Sequence, residues 1–217
     1  MEVFVPYSSF TEEYEPSDNS TLCRYGESSM FRLKLEYSID NGTTWQQYTL
    51  CDKIELTDNQ SVMFRSLIES GGIFNYDAWT NNGPRIQFVF NGNIDISGNI
   101  KSLLTSRFTV PNERTTITDY EFTFLFKDFY EKMNSGVGLK SAKNLILPSI
   151  YVGVRAFAGM FMHSTIEDAS FVLPATHGYE ECYSSMFLEC TELQNPPKTI
   201  CLEKIPEAGM FSMFLGC

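Results

Sequence analysis

One four-position pattern recurs down the second half of the chain. It occupies Phe122, Leu125, Phe126 and Phe129, then Phe157, Met160, Phe161 and Ser164, then Tyr183, Met186, Phe187 and Cys190, and last Met210, Met213, Phe214 and Cys217. Each set is spaced i, i+3, i+4, i+7, which lines one face of a short amphipathic helix. The phenylalanines at 126, 161, 187 and 214 stand 35, 26 and 27 residues apart. A unit repeated at so constant a length cannot bury its own apolar face, so its core must come from stacking on its neighbours. The longer first interval leaves room for an insertion at Asn134-Ser135-Gly136-Val137-Gly138. Between the sets lie short apolar segments that end in proline: Leu145-Ile146-Leu147-Pro148, Phe171-Val172-Leu173-Pro174 and a degenerate Leu193-Gln194-Asn195-Pro196-Pro197. They read as the strand of each repeat, closed by a residue that cannot donate to a ladder. The pattern predicts about three and a half repeats over 107–217, with helices near 120–130, 155–164, 181–190 and 208–217.

The first half has a different period. Phe31, Leu33, Leu35 and Tyr37 alternate with Arg32, Lys34, Glu36 and Ser38, as in a strand with one buried face. Asp40-Asn41-Gly42 tolerates φ > 0 and predicts a tight hairpin, with a return strand over 44–50 through Trp45 and Tyr48. A strand over 54–56, a turn at Asp58-Asn59-Gln60 and a strand over 62–65 extend this into a meander. Farther on, Ile86, Phe88 and Phe90 alternate with Gln87 and Val89, and Asn91-Gly92-Asn93 turns into Ile94-Asp95-Ile96. Short strands with a turn signal after each predict a small β-sandwich over 21–106. Ahead of it, Glu12-Glu13-Tyr14-Glu15 to Asp18 has no apolar period, so 1–20 reads as an acidic arm that could order against a neighbouring subunit.

Composition narrows the function classes. The 217 residues include 18 Phe and 11 Tyr, which need a core or a contact surface. A formal net charge of -11 opposes a phosphate backbone or an anionic bilayer as partner. Neither nucleic-acid binding nor membrane insertion is expected. The only histidines, His163 and His177, come without an H-x-x-x-H or C-x-x-C pair, which leaves little material for a zinc site or a histidine-based triad. Met1-Glu2-Val3-Phe4-Val5-Pro6 lacks the basic and apolar regions of an export signal, and no run of about 18 apolar residues occurs. Cys23, Cys51, Cys182, Cys190, Cys201 and Cys217 are accordingly expected as reduced, small core hydrophobes.

The third repeat carries a resemblance. Leu173-Pro174-Ala175-Thr176, followed by Cys182-Tyr183-Ser184-Ser185-Met186-Phe187-Leu188-Glu189-Cys190, is similar to the repeat core of the BspA-type leucine-rich-repeat family. Ala156-Phe157-Ala158-Gly159-Met160-Phe161 and Met213-Phe214-Leu215-Gly216-Cys217 match it less fully, with Ser164 in place of the last cysteine of the second repeat. Upstream, the segment from Leu35 to Trp45 and that from Phe90 to Leu104 resemble the N-terminal β-domain that often accompanies such repeats. The resemblance implies an α+β chain, an N-terminal small β-sandwich followed by a short BspA-type leucine-rich-repeat solenoid. It also implies a non-catalytic surface or interaction module, as found in cell-surface proteins of gut and oral bacteria and in proteins of their phages, with no cofactor and no catalytic residues.

Each candidate site has a bland reading beside it. Asn91-Gly92-Asn93-Ile94-Asp95 offers oxygen ligands but lacks the spacing and closing Glu of a calcium loop, so turn chemistry explains it and no metal is expected. Cys182 with His177 or His163 would make a nucleophile and a base, yet Glu180 and Glu181 push the thiol the wrong way. The possible surface contacts are aromatics outside both core patterns: Phe74, Tyr76 and Trp79 in a long loop, and Tyr151 and Tyr179 near repeat turns. The function expected is that of a phage virion component, tail- or capsid-associated or part of a tail fibre, attached to a host surface. The plain Met1 favours a virion over the alternative of a bacterial cell-surface adhesion protein binding host matrix or glycans; a polysaccharide-degrading enzyme is the remote third. Its partners would be other virion proteins or copies of itself, through the N-terminal region and the uncapped C-terminal repeat, and a host protein or glycan. Cys217 ends a repeat with no polar cap after it, which predicts a covering subunit or a longer protein.

Overall fold

A computed structural model describes residues 2–4, 7–8, 35–48, 53–66, 85–86, 88–103, 116–128, 136–147 and 149–217. The N-terminal strands are short: β1 (Glu2–Phe4), β2 (Tyr7–Ser8), β3 (Leu35–Ser38), β4 (Gln46–Gln47), β5 (Ile54–Glu55), β6 (Met63–Ser66), β7 (Arg85–Ile86) and β8 (Val89–Asn91). The hairpin forms where Asp40-Asn41-Gly42 predicts it, with Asn41 at φ 55° and Gly42 at φ 82°. The Asp40 carboxylate holds this turn by accepting from Thr44 N–H at 2.9 Å and Thr44 Oγ1 at 2.6 Å. Those bonds bring its pKa down to about 2. The strands do not form a meander, however. β3 lies between β4 and β6, whereas β5 joins a second sheet with β1 at its centre and β8 on the far side. Glu2–Phe4, the start of the expected arm, is thus a paired central strand.

Beyond β8 the chain changes partners. β9 (Ile94–Asn99) lies parallel to β11 (Leu139–Ile146), so a strand read as part of the sandwich pairs across the expected boundary at residue 106. The remaining strands are β10 (Thr116–Ile117), β12 (Tyr151–Val152), β13 (Val172–Leu173), β14 (His177–Gly178) and β15 (Thr199–Ile200). All pair in parallel: Thr116 opposite Tyr151 and Tyr151 opposite His177 in one ladder, Val172 opposite Thr199 in another. Bridges from Ser141 to Asp168 and from Asp168 to Asn195 join the same stack.

The segments expected as helices are ribbons of successive turns, over 120–128, 155–163, 181–189 and 208–216. Within a ribbon, every second N–H donates three residues back, as Ala158 does to Arg155 O at 3.0 Å and Met160 to Phe157 O at 3.2 Å. The intervening N–H groups donate sideways to the next ribbon. Arg155, Phe157, Gly159, Phe161 and His163 reach the carbonyls of Glu180, Cys182, Ser184, Met186 and Leu188 at 2.9–3.1 Å. The first and third ribbons bond their successors in the same way. Every fourth residue takes a left-handed conformation, as at Tyr120, Phe124, Arg155, Gly159, His163, Glu181, Ser185, Glu189, Ala208, Ser212 and Gly216. Each non-glycine in that region costs about 1–2 kcal/mol, which the two-way pairing of the backbone offsets.

The α+β expectation is therefore overturned. The described residues are strands and turns, with one 3-10 turn at Ile100–Leu103, no α-helix, and neither a two-sheet sandwich nor a helix-bearing leucine-rich-repeat solenoid among them. The reason lies in the periods. A helix repeats every 3.6 residues and the ribbon every four, so over two turns they differ by less than about one residue and select the same i, i+3, i+4, i+7 positions.

What the recurrence does specify is the core. Phe126, Phe161, Phe187 and Phe214 stack face to face with centroids 5.6, 5.2 and 5.5 Å apart, and Phe122, Phe157 and Tyr183 form a second file at 5.6 and 5.8 Å. Tyr37, Tyr48, Phe64 and Phe88 continue the first file into the N-terminal sheets through edge contacts, and Phe88 meets Phe126 at 5.6 Å. One hydrophobic core thus runs through both halves.

Candidate functional surface

The parallel register assembles side chains that lie 26 or 27 residues apart in sequence. In the β10–β12–β14 ladder it sets Tyr151 beside His177, with ring centroids 4.8 Å apart and planes 32° apart. Thr176 Oγ1 lies 2.8 Å from His177 Nδ1 and holds the ring at its edge. Tyr179 follows two residues on, its N–H bound to Val152 O at 2.9 Å and its side chain the more exposed of the two tyrosines at 58 %. Ile150 and Tyr151 are exposed as well. Of the predicted contact residues, Tyr151 lies in this ladder and Tyr179 directly follows β14, whereas Phe74, Tyr76 and Trp79 lie outside the described residues.

The same register sets charged and polar side chains of neighbouring repeats against each other. Arg155 grips Glu181 with two bonds, Nε at 2.8 Å and Nη2 at 2.7 Å, which raises the guanidinium pKa further. His163 Nε2 lies 3.2 Å from Glu189 Oε2. Lys140 Nζ spans two loops, 2.8 Å from Glu167 and 2.6 Å from Glu192, and its pKa rises because hydrogen bonds and charge from both carboxylates outweigh its burial. None of these pairs stands out in the apolar patterns of the sequence, although the 26-residue period puts position 155 opposite 181 and 163 opposite 189.

Of the described thiols, Cys182 and Cys190 sit in the core, whereas Cys201 is half-buried and Cys217 exposed, against the expectation of core positions for them. Cys182 and Cys190 are fully buried, and burial pushes their pKa values up to about 11 and about 12. Cys190 Sγ donates to Phe161 O at 3.0 Å, and Cys217 Sγ to Phe187 O at 2.9 Å, so both serve as small donors between ribbons. Cys182 Sγ points to Gly209 O at 3.8 Å, while His163 and His177 engage Glu189 and Thr176. A protonated, buried thiol is a poor nucleophile. Only Gly92 and Asn93 lie between β8 and β9, and Asn93 Oδ1 accepts from Gly138 N–H at 3.4 Å. Among the described residues no group of three or more His, Cys, Asp or Glu is placed to hold a metal ion, and no helix is long and apolar enough to cross a membrane. The acidic segment Glu12 to Asp18, Cys23 and Cys51 lie outside the described residues. Compared with protein-family models, curated proteins and solved structures, the chain finds no match.

Proposed function

We propose that this chain is a non-catalytic structural and interaction module of a phage particle, and that it contacts a host surface through the ladder bearing Tyr151, His177 and Tyr179. The observation that supports a contact role is the exposed aromatic pair of Tyr151 and His177, with the exposed Tyr179 two residues on from His177. Tyrosine combines apolar area with a hydrogen-bonding tip, and here the hydrogen-bonded backbone carries the rings, so little ordering entropy is lost on binding. A glycan or a protein loop is the fitting ligand class. The resemblance of 173–190 to BspA-type repeats supports the same setting.

Two measurements test this. Mass spectrometry of purified particles should find the chain, and its absence overturns the virion assignment. The purified chain should bind the cells that the particle infects, and a Tyr151→Ala/Tyr179→Ala variant should lose at least tenfold in affinity. Unchanged binding by a folded double variant overturns the assignment of this face.

A further inference from the structure

The face that bears Tyr151, His177 and Tyr179 is charged as well as aromatic. Glu203 N–H donates to Thr176 O at 2.9 Å, the bond that His177 makes to Ile150 O at 3.0 Å, so Glu203 takes the next place in the file of Tyr151 and His177. Tyr179 N–H bonds Val152 O at 2.9 Å, which sets Tyr179 opposite Gly153 in a neighbouring file. Residues two apart on a strand share a face, so the two files lie side by side. Gly153 has no side chain to occupy its place, and the Asp119 carboxylate fills it. A Cβ at 153 would lie 2.5 Å from Asp119 Oδ1, which accepts from Val154 N–H at 2.8 Å. Asp119 Oδ2 is left without a hydrogen-bond partner among the described residues. Asp119 thus stands one strand spacing, about 4.8 Å, from the backbone of Tyr179, with Glu203 diagonally across.

We propose that this face docks a basic segment of a partner protein, with an Arg or Lys side chain laid over Tyr179 between Asp119 and Glu203. Charge complementarity carries the choice of occupant. The segments that build the face hold carboxylates at 119, 180, 181, 203 and 207 against the cations of Arg155 and Lys204, and Glu181 already grips Arg155 with two bonds. A guanidinium or ammonium gains from the tyrosine ring and the flanking carboxylates together, whereas a phosphate or an acidic glycan is repelled. A neutral glycan fits less well. Its apolar ring face needs an open aromatic plane, but the rings of Tyr151 and His177 lie 4.8 Å apart with planes 32° apart, so each covers one face of the other. Resting on the host-contact reading of this ladder, the proposal narrows its ligand to one class.

The probe is a short peptide of alternating Arg and Gly, titrated into the full chain at low salt, with citrulline in place of Arg as the neutral control. The Arg peptide should bind at least about fivefold tighter than the control and shift the ring resonances of Tyr179 and His177. Both that advantage and binding to host cells should fall in an Asp119→Asn/Glu203→Gln variant, and the peptide's advantage should also fall at high salt. Asp119→Asn keeps an oxygen for Val154 N–H, and an unchanged urea midpoint shows the variant to be folded. Trypsin treatment of the cells should abolish binding, and periodate oxidation of their glycans should leave it. Failure of the Arg peptide to outbind its control overturns the proposal, as does binding lost to periodate and not to trypsin. Cell binding that falls in Tyr151→Ala/Tyr179→Ala but is kept by Asp119→Asn/Glu203→Gln overturns the basic partner and leaves the contact face standing. Binding unchanged in both variants overturns the two together.

Discussion

Replacing Gly159 with alanine should destabilise the protein by about 1–4.5 kcal/mol, and the main reason is one ring. Gly159 has φ 59°, but Ser185 and Ser212 take φ 54° and 51° at the same ribbon position, so the backbone alone does not demand glycine. A Cβ at 159 would fall inside the van der Waals envelope of Phe124 Cε1 and Cδ1, with Cζ at 3.4 Å. Carbon atoms in contact need about 3.5–4.0 Å, so the ring must move. Phe124 is buried, with the Lys127 ammonium 4.9 Å from its centroid. Overpacking of this kind costs about 1–3 kcal/mol and the left-handed alanine about 1–2, while lower entropy of the unfolded chain returns about 0.4–1. Urea unfolding followed by far-ultraviolet circular dichroism measures the sum. The stronger test is the double-mutant cycle with Phe124→Ala, which removes the obstacle. In that background Gly159→Ala should cost no more than about 1.5 kcal/mol, a coupling of about 1–3 kcal/mol. Equal costs in both backgrounds, or a single-variant loss below about 0.5 kcal/mol, would refute the reasoning.

Three further outcomes follow from the same stack. Phe161→Ala empties a fully buried site between Phe126 and Phe187 and should cost about 3–5 kcal/mol, whereas Phe211→Ala, at a residue 67 % exposed, should stay within about 0.5 kcal/mol in the same urea titration. Glu181→Gln breaks the two-bond grip on Arg155, largely shielded from solvent; a loss of about 1–2 kcal/mol is expected, and a loss that vanishes as well in an Arg155→Met background identifies the pair as its source. Stability should decline on the alkaline side. The unfolded thiols release protons near their usual 9.0 while Cys182 and Cys190 hold theirs to about 11 and about 12, so the stabilisation present below pH 9 is lost between these values. Cys190→Ala should flatten that decline in denaturant midpoints measured across the range.

The sequence made the core more legible than the backbone. Phe126, Phe161, Phe187 and Phe214 announce a stack by their spacing alone, because identical apolar positions at a fixed interval have no other way to be buried. Val172–Leu173 likewise falls where an apolar segment ends in proline. The backbone of the ribbons was not legible, since ten residues are too few to separate a period of four from one of 3.6. Gly159 and the pair Ser184-Ser185 in mid-segment were the available warnings against a helix, for such residues weaken helix interiors. In the first half, alternation found β3 and the hairpin but not the strand order, which depends on Glu2–Phe4 returning between β5 and β8. That pairing is non-local, and no period along the chain encodes it. Of the proposed contact face, Tyr151 and Tyr179 stand out in the sequence as aromatics outside the core pattern, whereas His177 joins them only because the 26-residue register sets it against Tyr151.

Residue-resolved amide exchange over 181–216 in the free chain tests the ribbon architecture most directly. Every amide from Glu181 to Cys190 should be protected, odd positions by sideways bonds and even positions by turn bonds. In the last ribbon protection should alternate, with Gly209, Phe211, Met213 and Leu215 slow and Ala208, Met210, Ser212, Phe214 and Gly216 fast. Unbroken protection across the interior of 208–216, as in a helix, would contradict the account.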